Sequence, residues 1–272
     1  MDRELPIYTI EGTDFIVDLA NLQLRERENA QNTIRVFDMR DIGDGYVFDY
    51  NPQIKNIPKQ PSELAGSTVV KIPELVKLDP HGMAEKYGYN IHQIQDKTDF
   101  DVMVDQQALG RRLMGQLPTI DIAGHTFFVE VRLDKLQPKD DFLSSGIVFS
   151  QIDHYYNDER EVYMIPYNPK TREFQELDHH NITAIPKDLI AISFPHESEL
   201  DPIAYNRKGG WDETFRLKET NLKSHFEAKT IDWKEIGIEE TIQQNIKRLR
   251  QQKKQPTENY KKGNRARRRP KL

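Results

Sequence analysis

The chain contains no cysteine. That absence removes disulfides, zinc–thiolate centres and thiol nucleophiles from consideration. Tryptophan occurs only 2 times in 272 residues, so the aromatic core has to come from 12 Phe and 11 Tyr. No apolar run approaches the length of a membrane span, and the opening MDRELPIYTIEG lacks the basic start and apolar centre of a signal peptide. A soluble, cytoplasmic protein with no membrane partner is the expectation. Phosphate-binding loops are missing as well: Lys208-Gly209-Gly210 fits no P-loop spacing, and no HExxH, HxH or GxSxG sequence occurs. These gaps predict no catalytic residue, no metal and no cofactor.

What the chain does contain is one stretch written twice. Leu5 to Leu19, LPIYTIEGTDFIVDL, recurs as Leu117 to Val131, LPTIDIAGHTFFVEV, at a spacing of 112. The two share Leu5/Leu117, Pro6/Pro118, Ile10/Ile122, Gly12/Gly124, Phe15/Phe127 and Val17/Val129. That is 6 identities in 15 positions, where unrelated segments of ordinary composition give roughly one. Each copy reads as a β-hairpin: Gly12 and Gly124 sit where a tight turn needs positive φ, and Phe15, Val17 and Leu19 then alternate with Asp14 and Asp18. Two further anchors follow in the same order, Tyr50-Asn51-Pro52 with Tyr167-Asn168-Pro169 and Leu78-Asp79-Pro80 with Leu200-Asp201-Pro202. Their spacings grow to 117 and 122, as small insertions in a tandem duplication produce.

Asp79 and Asp201 read as helix N-caps with Pro80 and Pro202 at the first helical position, and Gly88 and Gly209 as the stops. VVKI reads as a short buried strand. VDQQALGRRLMG reads as a helix interrupted by Gly110, with TFRLKETNLKSHF as its longer counterpart and KTIDW as an extended segment. Ile238, Ile242, Ile246 and Leu249 give the stripe of a final helix beginning near Glu235. The predicted fold class is α+β: a β-rich repeat at 1–115, a second at 116–233, an amphipathic helix at 234–250, and a basic tail at 251–272 with the composition of a disordered arm.

The ordered series LPxIDIAGxxFxVxxR, LxPKDDF, IPYNPKT, LDHHNITAIPKDLI, LDP and AKTIDWKEIGIEETIQQN resembles a group of proteins from Bacteroidetes carried near conjugative or mobilisable elements. The likeness spans nearly the whole chain and is clearer in the second copy. It implies a tandem architecture over the full length and the genomic company of a mobile element, and it brings no activity with it.

Histidine is the natural place to look for catalysis or metal binding. His125, Asp178, His179 and His180 are the candidates in the second copy, but adjacent histidines on a strand face opposite sides, so polar loop residues are the plainer reading. Asp140-Asp141 sits in turn composition, PKDD. Tyr155, Tyr156 and Tyr163 have the type needed to stack bases, although Tyr in strands ordinarily packs.

Charge is more informative. From residue 245 onward there are 12 Lys or Arg against one acid, Glu258, while the preceding residues hold 27 basic and 43 acidic side chains. An acidic body therefore carries a basic tail. Lys261, Lys262, Arg265, Arg267, Arg268, Arg269 and Lys271 form the predicted nucleic-acid-binding set, attracting DNA or RNA by counterion release without sequence preference. The expected role is a non-enzymatic accessory protein of a mobile element. The alternative is an acidic protein-interaction module, an adaptor, inhibitor or DNA-mimic decoy whose body engages a basic protein.

Overall fold

A computed structural model describes residues 3–254. The chain runs as β1 (Ile7–Ile10), β2 (Thr13–Asp18), β3 (Gln23–Glu26), β4 (Thr33–Arg35), β5 (Arg40–Asp41), β6 (Gly45–Tyr50), β7 (Thr68–Pro73), α1 (Leu75–Leu78), α2 (Pro80–Tyr87), α3 (Asp99–Met103) and α4 (Gln106–Leu113). It continues through β8 (Thr119–Ile122), β9 (His125–Glu130), β10 (Lys135–Pro138), β11 (Ile147–Val148), α5 (Phe149–Ile152), β12 (Tyr156–Asn157), β13 (Val162–Asn168) and β14 (Glu173–Phe174). The last elements are β15 (Ile190–Pro195), α6 (Glu197–Leu200), α7 (Pro202–Gly209), α8 (Leu217–Thr220), β16 (His225–Glu227), β17 (Lys229–Ile231) and α9 (Ile238–Lys254). The fold is α+β. Two compact units divide it, Met1–Gly110 with Thr214–Leu222, and Arg111–Glu213 with Lys223–Leu272.

The first unit holds an antiparallel meander, β1-β2-β3-β4, and a three-stranded sheet, β5-β6-β7. Its hairpin closes on Glu11 and Gly12, both at positive φ (47° and 78°), the backbone of a two-residue turn whose twist matches the strands. Phe15, Val17, Leu24 and Ile34 from one sheet meet Tyr46, Phe48, Tyr50 and Ile72 from the other in one buried core. Thr214–Leu222 completes this unit from far along the chain: Leu217 is fully buried, and Lys218 Nζ lies 2.6 Å from Asp41 and 4.9 Å from the Tyr46 ring centre.

The second unit repeats the frame. Ala123 and Gly124 take the same turn (φ 50° and 83°). The β13–β15 register, Tyr163↔Phe194 and Tyr167↔Ile190, reproduces the β6–β7 register, Tyr46↔Ile72 and Tyr50↔Thr68. Phe15 meets Tyr50 edge-on at 6.3 Å between ring centres, and their counterparts Phe127 and Tyr167 do so at 6.4 Å. This unit also has strands that the first lacks. β16 extends one sheet to the order β11-β10-β9-β8-β16, and β17 extends the other, β12-β13-β15-β17.

Five local expectations change. α4 runs through Gly110 without a break, because a lone Gly costs only about 1 kcal/mol against Ala. TFRLKETNLKSHF forms just the four-residue α8 before the chain extends into β16. The left-handed cap of α7 is Gly210 (φ 73°), one residue beyond the expected stop at Gly209. VVKI is an edge rather than a buried strand, with Val69 71% exposed. α9 begins at Ile238, after a separate 3-10 turn at Trp233–Ile236.

Glu26, almost fully buried, accepts from Lys55 Nζ at 2.5 Å and from the Asn32 amide at 2.9 Å. The Lys55 hydrogen bond, with Asn32 behind it, holds this carboxyl below the usual glutamate range. A depressed folded pKa contributes stability that is full above the unfolded value and is lost as pH falls through the folded one. Between about pH 6 and about pH 3, urea midpoints should therefore fall less steeply in Glu26→Gln than in the wild type. Parallel slopes would refute this assignment.

Candidate functional site

Chemistry shared by the two repeats would leave polar groups buried at equivalent positions, and Asp79 and Asp201 are such a pair. Asp79 and Asp201 are caps, accepting from Gly82 N–H at 2.9 Å and Ala204 N–H at 3.1 Å. Each also receives an arginine: Arg3 Nη1 and Nη2 reach Asp79 at 2.7 and 2.6 Å, while Arg112 Nε lies 3.0 Å from both Asp201 oxygens. A cavity of about 530 Å³ opens beside the second pair, lined in part by Glu130, Arg132, Arg207 and Lys208. Most of its charges are already engaged, Arg207 by Glu213 at 2.7 Å and Lys208 by Asp134 at 3.3 Å. These two carboxylates hold helices in place.

The tyrosines form a second duplicated set. Tyr46 donates to Asp99 at 2.8 Å, and its counterpart Tyr163 donates to Glu197 at 2.5 Å. Burial, together with the neighbouring carboxylate, pushes both hydroxyls far above the usual tyrosine range. Tyr163 is 1% exposed, so its ring is closed to an incoming base. Tyr167 is fully buried with a hydroxyl that finds no hydrogen-bond partner, and burial pushes that hydroxyl up to about 12. The two tyrosines should respond oppositely to loss of oxygen. Tyr167→Phe should be neutral or stabilising by about 1 kcal/mol, whereas Tyr163→Phe strips the buried Glu197 of a donor and should cost about 1–3 kcal/mol. Urea midpoints of the two variants check this, and equal signs would refute it.

The histidines do not converge. His125 opens β9 well apart in sequence from Asp178, His179 and His180, which occupy an exposed turn. The Asp178 carboxylate accepts backbone N–H groups of His180 and Asn181 at 3.1 and 3.2 Å and the Asn181 amide at 2.8 Å. His179 Nε2 lies 3.2 Å from the Tyr155 hydroxyl. Asp140 pairs with Arg172 at 2.6 Å, while Asp141 caps the turn through Leu143 and Ser144 N–H. His196, which sequence reasoning passed over, makes the densest histidine contacts: Nε2 is 3.1 Å from Glu197, Nδ1 is 2.9 Å from Ser198 Oγ, and the ring stacks on Tyr163. Nδ1 also accepts Ser198 N–H at 3.2 Å, which makes His196 the N-cap of α6. Among the described residues, no group of three or more His, Asp or Glu is placed to hold a metal ion.

The Asp178 turn has another role. The Asn245 amide on α9, buried, donates to the carbonyls of His179 and Ile182, both at 2.9 Å. Arg248 reaches the His180 carbonyl. With Ile238 buried beside Leu177 and Leu189, and Ile182, Trp233, Ile236 and Ile242 packed around them, the turn becomes the seat of α9. The predicted stripe fades along the helix, and Leu249 is 41% exposed. The first copy lacks a DHHNIT sequence. Nothing local distinguishes Asn245 from the other polar residues of this helix, so sequence reasoning missed it.

α9 presents Lys247 and Arg250, both exposed, beside Gln243, Ile246 and Gln251. Their spacing places these residues on one helix face. The segment with Lys261, Lys262, Arg265, Arg267, Arg268, Arg269 and Lys271 lies outside the described residues. In sequence Lys261 comes seven residues after Lys254, the last residue of α9. No family model, curated protein or solved structure matches this chain.

Proposed function

We propose that this protein is a nucleic-acid-binding accessory factor of a mobile genetic element with no catalysis of its own, gripping DNA or RNA through α9 and the basic segment beyond it. The observation that carries this reading is a cationic helix seated by Asn245 on an acidic body and followed in sequence by seven Lys or Arg against one acid. Lys247 and Arg250 supply fixed charges, and the segment supplies many more. Together they favour phosphate contacts with no base readout.

Anisotropy titration of a short DNA duplex tests it with three proteins: the full chain, a chain ending at Gln252, and full-length Lys247→Glu/Arg250→Glu. Full-length affinity should fall steeply with salt, at a slope of about −0.9 per phosphate neutralised. Truncation should remove most of that slope, and the double variant should lower it by about two. Equal binding by the full and truncated chains, or binding by none, would sink the proposal.

A further inference from the structure

The two repeats differ most at their sheet edges. In the second unit one continuous segment, His225–Ile231, covers the edges of both sheets. β16 lies parallel to β8, pairing His225↔Thr119, Phe226↔Ile120 and Glu227↔Asp121. Thr119 N–H donates to the Ser224 carbonyl at 3.1 Å, and Ala228 N–H donates to the Asp121 carbonyl at 2.8 Å. β17 then crosses to β15, pairing Ala191↔Ile231, Ile192↔Thr230 and Ser193↔Lys229.

The first unit has the same frame and, among the described residues, no such strap. Thr119, Ile120 and Asp121 correspond to Ile7, Tyr8 and Thr9, and Ala191, Ile192 and Ser193 correspond to Val69, Val70 and Lys71. β1 and β7 each end their sheet. The two-residue turn pairs Ile10 with Thr13, and Val17 N–H donates to the Pro6 carbonyl, so Tyr8 and Ile10 turn their backbone toward β2. Ile7 and Thr9 therefore aim N–H and C=O outward, as Thr119 and Asp121 do. Exposure follows. Ala191 is 1% exposed and its counterpart Val69 71%; Ile120 is 0% exposed and its counterpart Tyr8 half-buried; Thr119 is half-buried and its counterpart Ile7 46% exposed.

We infer that β1 and β7 form a docking edge for an extended segment of a partner protein, laid parallel to β1 as β16 lies on β8. The mode is strand addition, in which main-chain bonds supply affinity and alternate side chains supply choice. The changed neighbours define the guest. Ile7 in place of Thr119 asks for an apolar residue where His225 stands. Half-buried Tyr8 asks for an aromatic where Phe226 covers Ile120. Lys71 in place of Ser193, paired only with the exposed Asp44 at 2.9 Å among the described residues, repels a lysine and favours an acid where Lys229 stands. The guest then reads apolar–aromatic–polar–small–acidic–Thr–apolar. A second copy of this chain is the poorer occupant, because edges related by a two-fold axis pair antiparallel, and its own strap carries His225 and Lys229.

The probe is the capped peptide VFTAETV, titrated into the full chain while amide shifts are followed by NMR. Saturable shifts should centre on Ile7, Thr9 and Val69. N-methylation of the peptide Phe, which removes its backbone donor and keeps every side chain, should weaken binding at least tenfold. Thr9→Pro should do the same while leaving the β1–β2 bonds intact, since its N–H points outward. A Thr9→Pro chain that fails to fold leaves the N-methylated peptide to decide. No saturable shift at these amides, undiminished binding of the N-methylated peptide, or self-association through β1 in place of peptide binding would each overturn the inference.

Discussion

Replacing Asp201 with Ala should lower the stability of the second unit by about 3–5 kcal/mol, the cost of leaving a buried charge without its partner. The Asp201 carboxylate is completely buried and Arg112 only 10% exposed. The substitution strands that guanidinium in a poorly solvated place and also removes the cap on α7. Both tryptophans, Trp211 and Trp233, belong to this unit, so urea unfolding followed by their fluorescence reads the loss directly. The matching change in the first unit should be milder. Arg3 is 33% exposed and rehydrates when Asp79 is removed, which leaves mainly the cap, about 1–2 kcal/mol. Arg112→Met/Asp201→Asn should recover part of the single-variant loss, because no unpaired charge then remains buried. A fluorescence midpoint unmoved by Asp201→Ala would show that the pair is energetically idle.

What the sequence made legible is what depends on neighbours along the chain. The hairpins could be read because Gly12 and Gly124 stand where the turn needs positive φ and Phe15 and Phe127 start the alternation. The caps could be read because Asp-Pro before a helical pattern satisfies local N–H groups wherever the helix goes. The strap could not. SHFEAKTI has no pattern that says which edge it joins, and its parallel pairing with β8 links residues 106 apart. The same holds for Thr214–Leu222, whose Leu217 is apolar enough for a core but carries no mark of belonging to the first unit. Of the candidate site, the charge division was plain in composition. The seat of α9 was hidden, because it is built from main-chain carbonyls of His179 and Ile182, which side-chain types do not reveal.

Asp99 was hidden for the same reason, and removing it should be nearly as damaging as removing Asp201. It lies among unremarkable acids in the sequence, yet it is completely buried and takes three hydrogen bonds, from Tyr46 hydroxyl, Leu75 N–H and Val76 N–H, each at 2.8 Å. In the second unit, Glu197 takes the hydroxyl of Tyr163, so the two repeats receive equivalent tyrosines with different carboxylates. Asp99→Ala leaves three buried donors unsatisfied, and even one such donor costs about 1–3 kcal/mol, so a loss of about 3–5 kcal/mol is expected. Asp99→Asn keeps a carbonyl acceptor and should cost less. The pH response has a definite sign. Burial raises the Asp99 carboxyl above the usual aspartate range against the pull of its hydrogen bonds. A raised folded pKa contributes stability that is full below the unfolded aspartate pKa and is lost as pH rises through the folded value. The wild type should therefore lose that contribution on going from acid toward neutral pH, and Asp99→Asn should lack this component. Hydrogen exchange at the Leu75 and Val76 amides gives the local readout: both should be protected in the wild type and exchange markedly faster in Asp99→Ala. Unchanged exchange at those two amides would show that Asp99 does not hold the start of α1.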